Sequence, residues 1–304
     1  MSANLASTNY YSVETTDKQS FDLAKTVKSF FEDGNTQTNA LEEAKVVEIL
    51  KKYVDNFSST TVRNILFAVS GIVSTDFRAY TITDLDEVIF NPMARHIQRY
   101  NDFFAAQRQR LADLSNPASD EFGYLLEIPQ EPTFEEVCAV GGTHAAYAVY
   151  GDHYKKLNEE ARNDLEFNRG LDFIDDNISG YAHAIKNLAP FYAALTTRPE
   201  SIQELTEKEV GRVSLDIVLP VITRPTDIHI AQTHIWKFNV LMALAELSNK
   251  TIIMLDDQLD LFNLIQEENH PLIKGILFAG PITKPHEEAT SWPNLEKKVR
   301  SMVN

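Results

Sequence analysis

Apolar residues recur at three- and four-residue steps along most of this chain, and this spacing limits its fold more than any other feature. It runs through residues 21–31, 41–57, 92–114 and 227–247. Such spacing places the apolar side chains on one face of an α-helix. Residues 61–73 are apolar nearly all round, which is typical of a buried helix. We therefore expect a mainly α fold, a helix-rich chain of about ten helices with a few short strands.

Helix-start signals support this expectation. Ser20 is placed to cap the helix over residues 21–31, and Asn91 followed by Pro92 is typical of a helix start. The pairs Asn39 and Glu42, Thr133 and Glu136, and Thr206 and Glu209 have the spacing of a capping box. Residues 180–195 are predicted as a helix that Pro190 kinks. Each of these signals begins or shapes a helix.

Strands are predicted at three places only. Residues 213–217 alternate between apolar and polar side chains, which is the period of a half-buried strand. Residues 251–255 and 276–278 are short apolar runs, and these are also predicted as strands.

The chain divides into an arm and a main domain. Residues 1–19 are rich in Ser, Thr and Asn and are predicted as an extended N-terminal arm, with Tyr10 and Tyr11 as its anchors. Residues 20–304 form the predicted helical domain. Three prolines break the helical spacing within residues 115–133, which are therefore the candidate boundary between two lobes.

Composition excludes several classes of protein. The 44 acidic residues exceed the 28 Lys and Arg, and the formal net charge of −16 argues against neutralising nucleic-acid phosphates over a broad surface. The one cysteine excludes a disulfide framework and a multi-thiolate zinc site. The N-terminus lacks the basic and apolar segments of a secretory signal, and the apolar stretches are too short to span a bilayer. We expect a cytoplasmic protein, or a virion component, with no membrane partner.

A small basic cluster stands out against this acidic background. Arg95, Arg99 and Arg110 fall within about 60° of one another on an ideal helix, opposite an apolar face. One interpretation is a solvated face that pairs with acids elsewhere. The other is a local contact for RNA or for a neighbouring subunit.

Residues 256–260 contain three aspartates, Asp256, Asp257 and Asp260, in the spacing DDxxD. The segment resembles the metal-binding motif of class I isoprenoid synthases and prenyltransferases. The resemblance implies that these carboxylates lie on a helix and hold Mg²⁺ ions that bind a diphosphate. The alternative is that Asp256 and Asp257 form the N-cap and first turn of a helix over residues 258–268.

Two weaker motifs carry other chemistry. Cys138 precedes a Gly-Gly-Thr turn and His144, which suggests an anion-binding turn or a nucleophilic pair, against a buried cysteine as the alternative. Residues 175–180 spell the first half of a calcium loop, but Lys186 stands where that loop needs a glutamate. An Asx-type turn explains residues 175–180 more simply.

These observations favour a non-enzymatic role. We predict a self-assembling structural protein, most concretely an RNA-virus capsid protein whose shell surrounds the genome and whose arm docks on neighbouring subunits. Its partners are then other copies of itself, with RNA bound through local contacts, and no cofactor is expected. The alternative is an Mg²⁺-dependent class I isoprenoid-diphosphate enzyme that uses Asp256, Asp257 and Asp260. A helical scaffold that binds other proteins fits the same composition.

Overall fold

A parallel β-sheet of five strands forms the centre of the computed structural model. The structure describes residues 22–33, 42–54, 57–114, 133–137, 148–149, 158–170, 176–177, 191–213, 220–278 and 292–303. The strands in chain order are β1 Ala79–Thr83, β2 Phe90–Asn91, β3 Asp176–Asn177, β4 Phe191–Pro199, β5 Val221–Arg224, β6 Thr251–Asp256 and β7 Ile273–Leu277. The five-stranded sheet has the order β5-β4-β1-β6-β7, and β2 pairs with β3 in a separate antiparallel ribbon.

The helices cover both faces of the sheet. The α-helices in chain order are α1 Leu23–Glu32, α2 Glu43–Val54, α3 Ser59–Val73, α4 Met93–Arg99, α5 Ala105–Ala112, α6 Leu165–Gly170, α7 Gln203–Val213, α8 Thr233–Ser248, α9 Leu259–Glu268 and α10 Trp292–Val303. On one face α3, α8 and α9 pack on the strands, and α1 and α2 form an outer layer against α3 and α8. On the other face the buried side chains of α7 and α10 pack against the strands.

The prediction of a mainly α fold is wrong, because the molecule is an α/β protein built on this parallel sheet. The strands of such a sheet are buried on both faces, so apolar–polar alternation is a weak guide to them; β4 lacks it, and in β1 it covers only residues 80–83. β1 was not predicted, and β4 begins within the helix expected over residues 180–195. The predicted strand at 251–255 is confirmed as β6. The predicted strand at 276–278 overlaps the end of β7, which begins earlier, at Ile273.

The order of the strands creates a switch point next to β1. The chain moves outward in one direction through β1, β4 and β5, returns across the sheet along α8, and continues through β6 and β7 on the other side. The carboxyl ends of β1 and β6 are therefore neighbours from which the chain departs in opposite directions. In open α/β sheets, a crevice that binds ligands lies at this position.

A helical insertion separates β2 from β3. It contains α4, a π-helical segment Tyr100–Phe104, α5, α6 and helical residues at 134–137 and 158–163. We call residues 92–175 the insertion. Because β2 and β3 pair with each other, the insertion leaves and re-enters the main body at one place. The predicted arm and residues 115–132 lie outside the described residues.

The helix-start signals had mixed outcomes. The capping box at Thr133 is confirmed, since the Thr133 backbone N–H donates to the Glu136 carboxylate at 2.8 Å and the Glu136 N–H donates to Thr133 Oγ1 at 3.3 Å. The predicted box at Thr206 is wrong, because both of its residues lie inside α7. Asp22, and not Ser20, caps α1. Within the described residues, no helix is both long and apolar enough to cross a membrane.

Candidate functional site

Three carboxylates meet where β1 and β6 end. Asp84 directly follows β1, Asp256 is the last residue of β6, and Asp257 comes next. The strands are neighbours with Thr83 opposite Leu255, so their following residues emerge side by side. One oxygen from each carboxylate lies within 4.8 Å of the others. We call these three residues the acidic cluster, and it occupies the switch point of the sheet.

A buried lysine joins two of these carboxylates. The Nζ atom of Lys237, on α8, lies 2.6 Å from Asp256 Oδ2 and 2.9 Å from Asp84 Oδ2. The Lys237 side chain is 0% exposed. Burial by itself disfavours the ammonium, but the carboxylates of Asp256 and Asp84 outweigh it and raise the pKa of Lys237. Lys237 is therefore held as a cation between two strands.

The acidic cluster holds more negative charge than Lys237 balances. Burial raises the pKa of Asp84 to about 7, although Lys237 opposes this rise. Burial and the charges of Asp256 and Asp84 raise the pKa of Asp257 well above its ordinary value. Three ionised carboxylates and one ammonium would leave two uncompensated negative charges. A bound cation would remove this repulsion, and without one, protons do so.

Backbone hydrogen bonds orient the carboxylates. The Leu85 N–H donates to Asp84 Oδ1 at 2.7 Å, and the Gln258 N–H donates to Asp256 Oδ1 at 2.9 Å. The Asp84 N–H in turn donates to the Leu255 carbonyl at 2.8 Å. Each of these two carboxylates thus has one oxygen bonded to the backbone and the other facing Lys237. Their positions are set before any ligand binds.

A tight turn carries the chain from Asp84 to β2. The N–H groups of Ile89 and Phe90 both donate to the Leu85 carbonyl, at 2.8 and 2.9 Å. Glu87 has a φ angle of +65°, a left-handed conformation that is uncommon for a residue with a side chain. The turn places Asp86 beside the end of β4.

A second charged centre forms around Asp86. Its Oδ1 atom lies 2.6 Å from Arg198 Nη2, at the end of β4, and 2.8 Å from Arg95 Nη2, on α4. Arg198 also forms a buried ion pair with Glu209 of α7. Although burial opposes ionisation, Arg198 and Arg95 hold the pKa of Asp86 well below its ordinary value. Asp86 is therefore ionised at neutral pH.

The insertion reaches the carboxyl ends of β4 and β5. Arg162 Nη2 lies 3.2 Å from Thr197 Oγ1 and 3.5 Å from the Thr197 carbonyl oxygen. Glu159 forms an ion pair with Arg224, which is fully buried at the end of β5. Helical residues 158–163 thus lie against the same edge of the sheet as the acidic cluster.

No protein-family model, curated protein or solved structure matches this chain. Only its own residues indicate the chemistry of the site.

The DDxxD prediction is partly supported by this geometry. Asp256 and Asp257 belong to the acidic cluster, but Asp260 is exposed in the first turn of α9 and is not part of it. The implied placement of all three on a helix is wrong, since Asp256 ends a strand and α9 begins at Leu259. The alternative N-cap role of Asp256 is also wrong, because Gln258 is the N-cap residue.

The predicted basic face does not form as expected. Arg99 is only 3% exposed and donates to Asn158 Oδ1 at 3.3 Å, Arg95 pairs with Asp86, and Arg110 is exposed. The π-helical segment between Arg99 and Arg110 changes the rotation per residue, so ideal α-helical spacing does not apply. Tyr10, Tyr11, Cys138 and His144 lie outside the described residues.

Sequence reasoning missed Asp84, Asp86 and Lys237. Two signals were present. Residues 79–83, Ala-Tyr-Thr-Ile-Thr, are followed by Asp-Leu-Asp, and Lys237 lies within a mostly apolar stretch of α8. A lysine on the buried face of a helix needs a paired carboxylate, but the spacing of residues does not identify it.

Proposed function

We propose that this chain is a divalent-cation-dependent phosphohydrolase that cleaves a phosphate monoester through an aspartyl phosphate on Asp84. The observation that carries this proposal is the acidic cluster, with three carboxylate oxygens within 4.8 Å of one another and a buried lysine between two of them. Its position at the switch point of a parallel sheet is where α/β proteins bind their ligands.

The donor set fits Mg²⁺. Carboxylate oxygens are the hard ligands that this ion prefers, and it commonly binds one or two carboxylates together with substrate phosphates. Asp84, Asp256 and Asp257 would hold it. When bound, the ion would supply positive charge to the phosphate oxygens. Lys237 keeps Asp84 and Asp256 apart and partly neutralised before substrate arrives.

Asp84 is the favoured nucleophile because of its place in the sheet. β1 lies between β6, which carries the other two carboxylates, and β4, which carries Thr196 and Thr197 near its end. A phosphate bound between the carboxylates of β6 and the threonines of β4 would face Asp84. Carboxylates serve as nucleophiles in phosphoryl transfer through aspartyl phosphates.

Two displacements complete the reaction. A carboxylate oxygen of Asp84 forms a bond to phosphorus as the bond to the ester oxygen breaks, and the leaving alkoxide takes a proton from solvent water. Water then attacks phosphorus, the bond to Asp84 breaks, and inorganic phosphate is released. The proton of that water passes to solvent, and Asp86, ionised and paired with Arg198 and Arg95, fixes these two arginines beside the carboxyl end of β1.

The purified full chain tests this with p-nitrophenyl phosphate, a simple monoester. We expect Mg²⁺-dependent release of phosphate that EDTA stops, and its loss in Asp84→Asn. The matched control, Asp260→Asn, changes an exposed aspartate outside the acidic cluster and should keep the activity. No Mg²⁺-dependent release by the wild type would overturn the proposal.

The covalent step has its own test. Acid quenching during turnover of ³²P-labelled substrate should trap label on the protein, and hydroxylamine should remove it, because an acyl phosphate is sensitive to this reagent. Label should be absent from Asp84→Asn. Rapid hydrolysis with no trapped label at any time would contradict the role of Asp84 as nucleophile.

The functions expected from sequence stay predictions. Shell formation is checked by light scattering and negative-stain microscopy of the purified protein. The isoprenoid-diphosphate alternative also needs Mg²⁺ and a phosphorylated substrate, but the site supports it less well because Asp260 lies apart from Asp256 and Asp257. Diphosphate release from geranyl diphosphate would favour it over monoester hydrolysis.

A further inference from the structure

Arg162 differs from the other arginines at this edge of the sheet. Among the described residues, its half-buried guanidinium donates hydrogen bonds to Thr197 alone, at the side-chain and carbonyl oxygens, both neutral groups. Among the residues that the structure describes, no carboxylate lies within ion-pair distance of Arg162. The guanidinium has five N–H donors, and the two Thr197 oxygens accept from only some of them. Neither Thr197 oxygen carries a charge.

The neighbouring acids already form ion pairs with other arginines. Asp86 is bound by Arg198 and Arg95, and Glu159 is bound by Arg224. Arg162 is nevertheless close enough for its charge to lower the pKa of Asp86. It therefore adds positive charge to this edge of the sheet without having an acid of its own.

Its distance from the acidic cluster suits one substrate molecule. Thr83 of β1 lies opposite Ala194 of β4, so Thr197 is three residues further along its strand and Asp84 one residue further along the neighbouring strand. With a rise of about 3.3 Å per residue, about 5 Å between strands and an irregularity of β4 between Thr196 and Pro199, the two backbone positions are roughly 6–8 Å apart. A small phosphate ester bound at Asp84 would extend into the space beside Arg162.

We propose that Arg162 binds a second anionic group, a carboxylate or a phosphate, on the leaving-group side of the substrate. The planar guanidinium matches such groups with two parallel hydrogen bonds. This inference rests on the proposed function, since it takes the acidic cluster as the place of the phosphate that is cleaved. It narrows the substrate class to phosphate monoesters that carry another negative charge.

Two substrate pairs test the inference. 3-Phosphoglycerate and glycerol 3-phosphate differ by a carboxylate in place of a hydroxymethyl group, and so do 6-phosphogluconate and sorbitol 6-phosphate. We expect kcat/KM to favour the carboxylate member of at least one pair by roughly ten- to hundredfold, as for a hydrogen bond to a charged group. Arg162→Met should reduce that preference to near one, because it removes the guanidinium that binds the carboxylate.

Two further variants control the result. Arg162→Lys should keep part of the preference because it keeps the charge. Arg78→Met makes the same change at an exposed arginine just before β1, at the opposite edge of the sheet, and should behave as wild type. Equal losses on both members of a pair and on p-nitrophenyl phosphate would overturn the inference, as would a wild type without preference in either pair.

Calorimetric binding of the same four compounds in Mg²⁺ separates this inference from the proposed function. Preferential binding that disappears in Arg162→Met, with no hydrolysis, would support the anion site and overturn the phosphohydrolase. Hydrolysis without preferential binding would support the phosphohydrolase and overturn the anion site at Arg162.

Discussion

The ammonium of Lys237 lies 2.6 Å from the carboxylate of Asp256, and the pair joins the buried side of α8 to the end of β6. Asp84, at the end of β1, is the second partner of the same ammonium at 2.9 Å. One side chain thus connects a helix to two adjacent strands, at the switch point where the chain leaves β1 and β6 toward opposite edges of the sheet.

Lys237→Met should destabilise the protein strongly at neutral pH. It removes the counter-charge of Asp84 and Asp256, and breaking a buried ion pair from one side costs about 3–5 kcal/mol. Urea unfolding at pH 7 without metal measures this free energy. Lys51→Met, a change at an exposed lysine of α2, is the control and should stay within about 0.5 kcal/mol of wild type. Equal stabilities of the two variants would show that Lys237 does not balance these charges.

Mg²⁺ should raise the melting temperature of the wild type. A ligand that binds only the folded state at 100 times its Kd stabilises that state by about 2.7 kcal/mol. The shift should be lost in Asp257→Asn and kept in Asp260→Asn, because Asp257 belongs to the acidic cluster and Asp260 does not. Thermal unfolding with and without EDTA checks it, and an equal shift in both variants would place the ion elsewhere.

The pH dependence of stability should contain a contribution from Asp84. Its pKa is about 7 in the folded protein against an ordinary 3.8, so between these values the folded state keeps a proton that the unfolded state has lost. Raising the pH through this window therefore lowers the free energy of unfolding. The raised pKa of Asp257 also lowers the free energy of unfolding as the pH rises. The lowered pKa of half-buried His96 acts in the opposite direction, below pH 6.5.

The difference between wild type and Asp84→Asn removes the contribution of His96, which is common to both, and contains Asp84 together with the part of the Asp257 shift that the Asp84 charge causes. In metal-free buffer, the stability of the wild type relative to Asp84→Asn should fall from pH 4 to pH 7. Urea unfolding at several pH values measures it. A difference that is constant over this range would contradict the raised pKa of Asp84.

Two glycines should respond oppositely to alanine. A Cβ atom at Gly275 of β7 would lie 3.2 Å from Phe262 and 3.3 Å from Ile265 of α9, so Gly275→Ala should cost roughly 1–3 kcal/mol by overpacking. Gly211 of α7 has open space within 4 Å of the added Cβ. Gly211→Ala should stabilise the helix by up to about 1 kcal/mol. Urea unfolding compares the two, and a stable Gly275→Ala would show that α9 can move away from β7.

The sequence by itself determined the elements whose signal is local. Apolar spacing predicted helices in the regions of α1, α3, α5 and α8, and the reciprocal bonds of Thr133 and Glu136 followed from their three-residue separation. Asp256 and Asp257, with Asp260, became candidate metal ligands through the resemblance of residues 256–260 to a DDxxD motif. In these cases the interacting residues are neighbours along the chain.

Only the tertiary structure decided the sheet and the membership of the site. β1 and β4 are covered by helices on both faces; β4 lacks apolar–polar alternation, and the alternation of β1 over residues 80–83 is too short to identify a strand. Asp84 joins Asp256, and Asp260 does not, because two parallel strands end side by side while α9 carries Asp260 away from that edge. Pairing between strands distant along the chain brings these groups together, and residue spacing does not record that pairing.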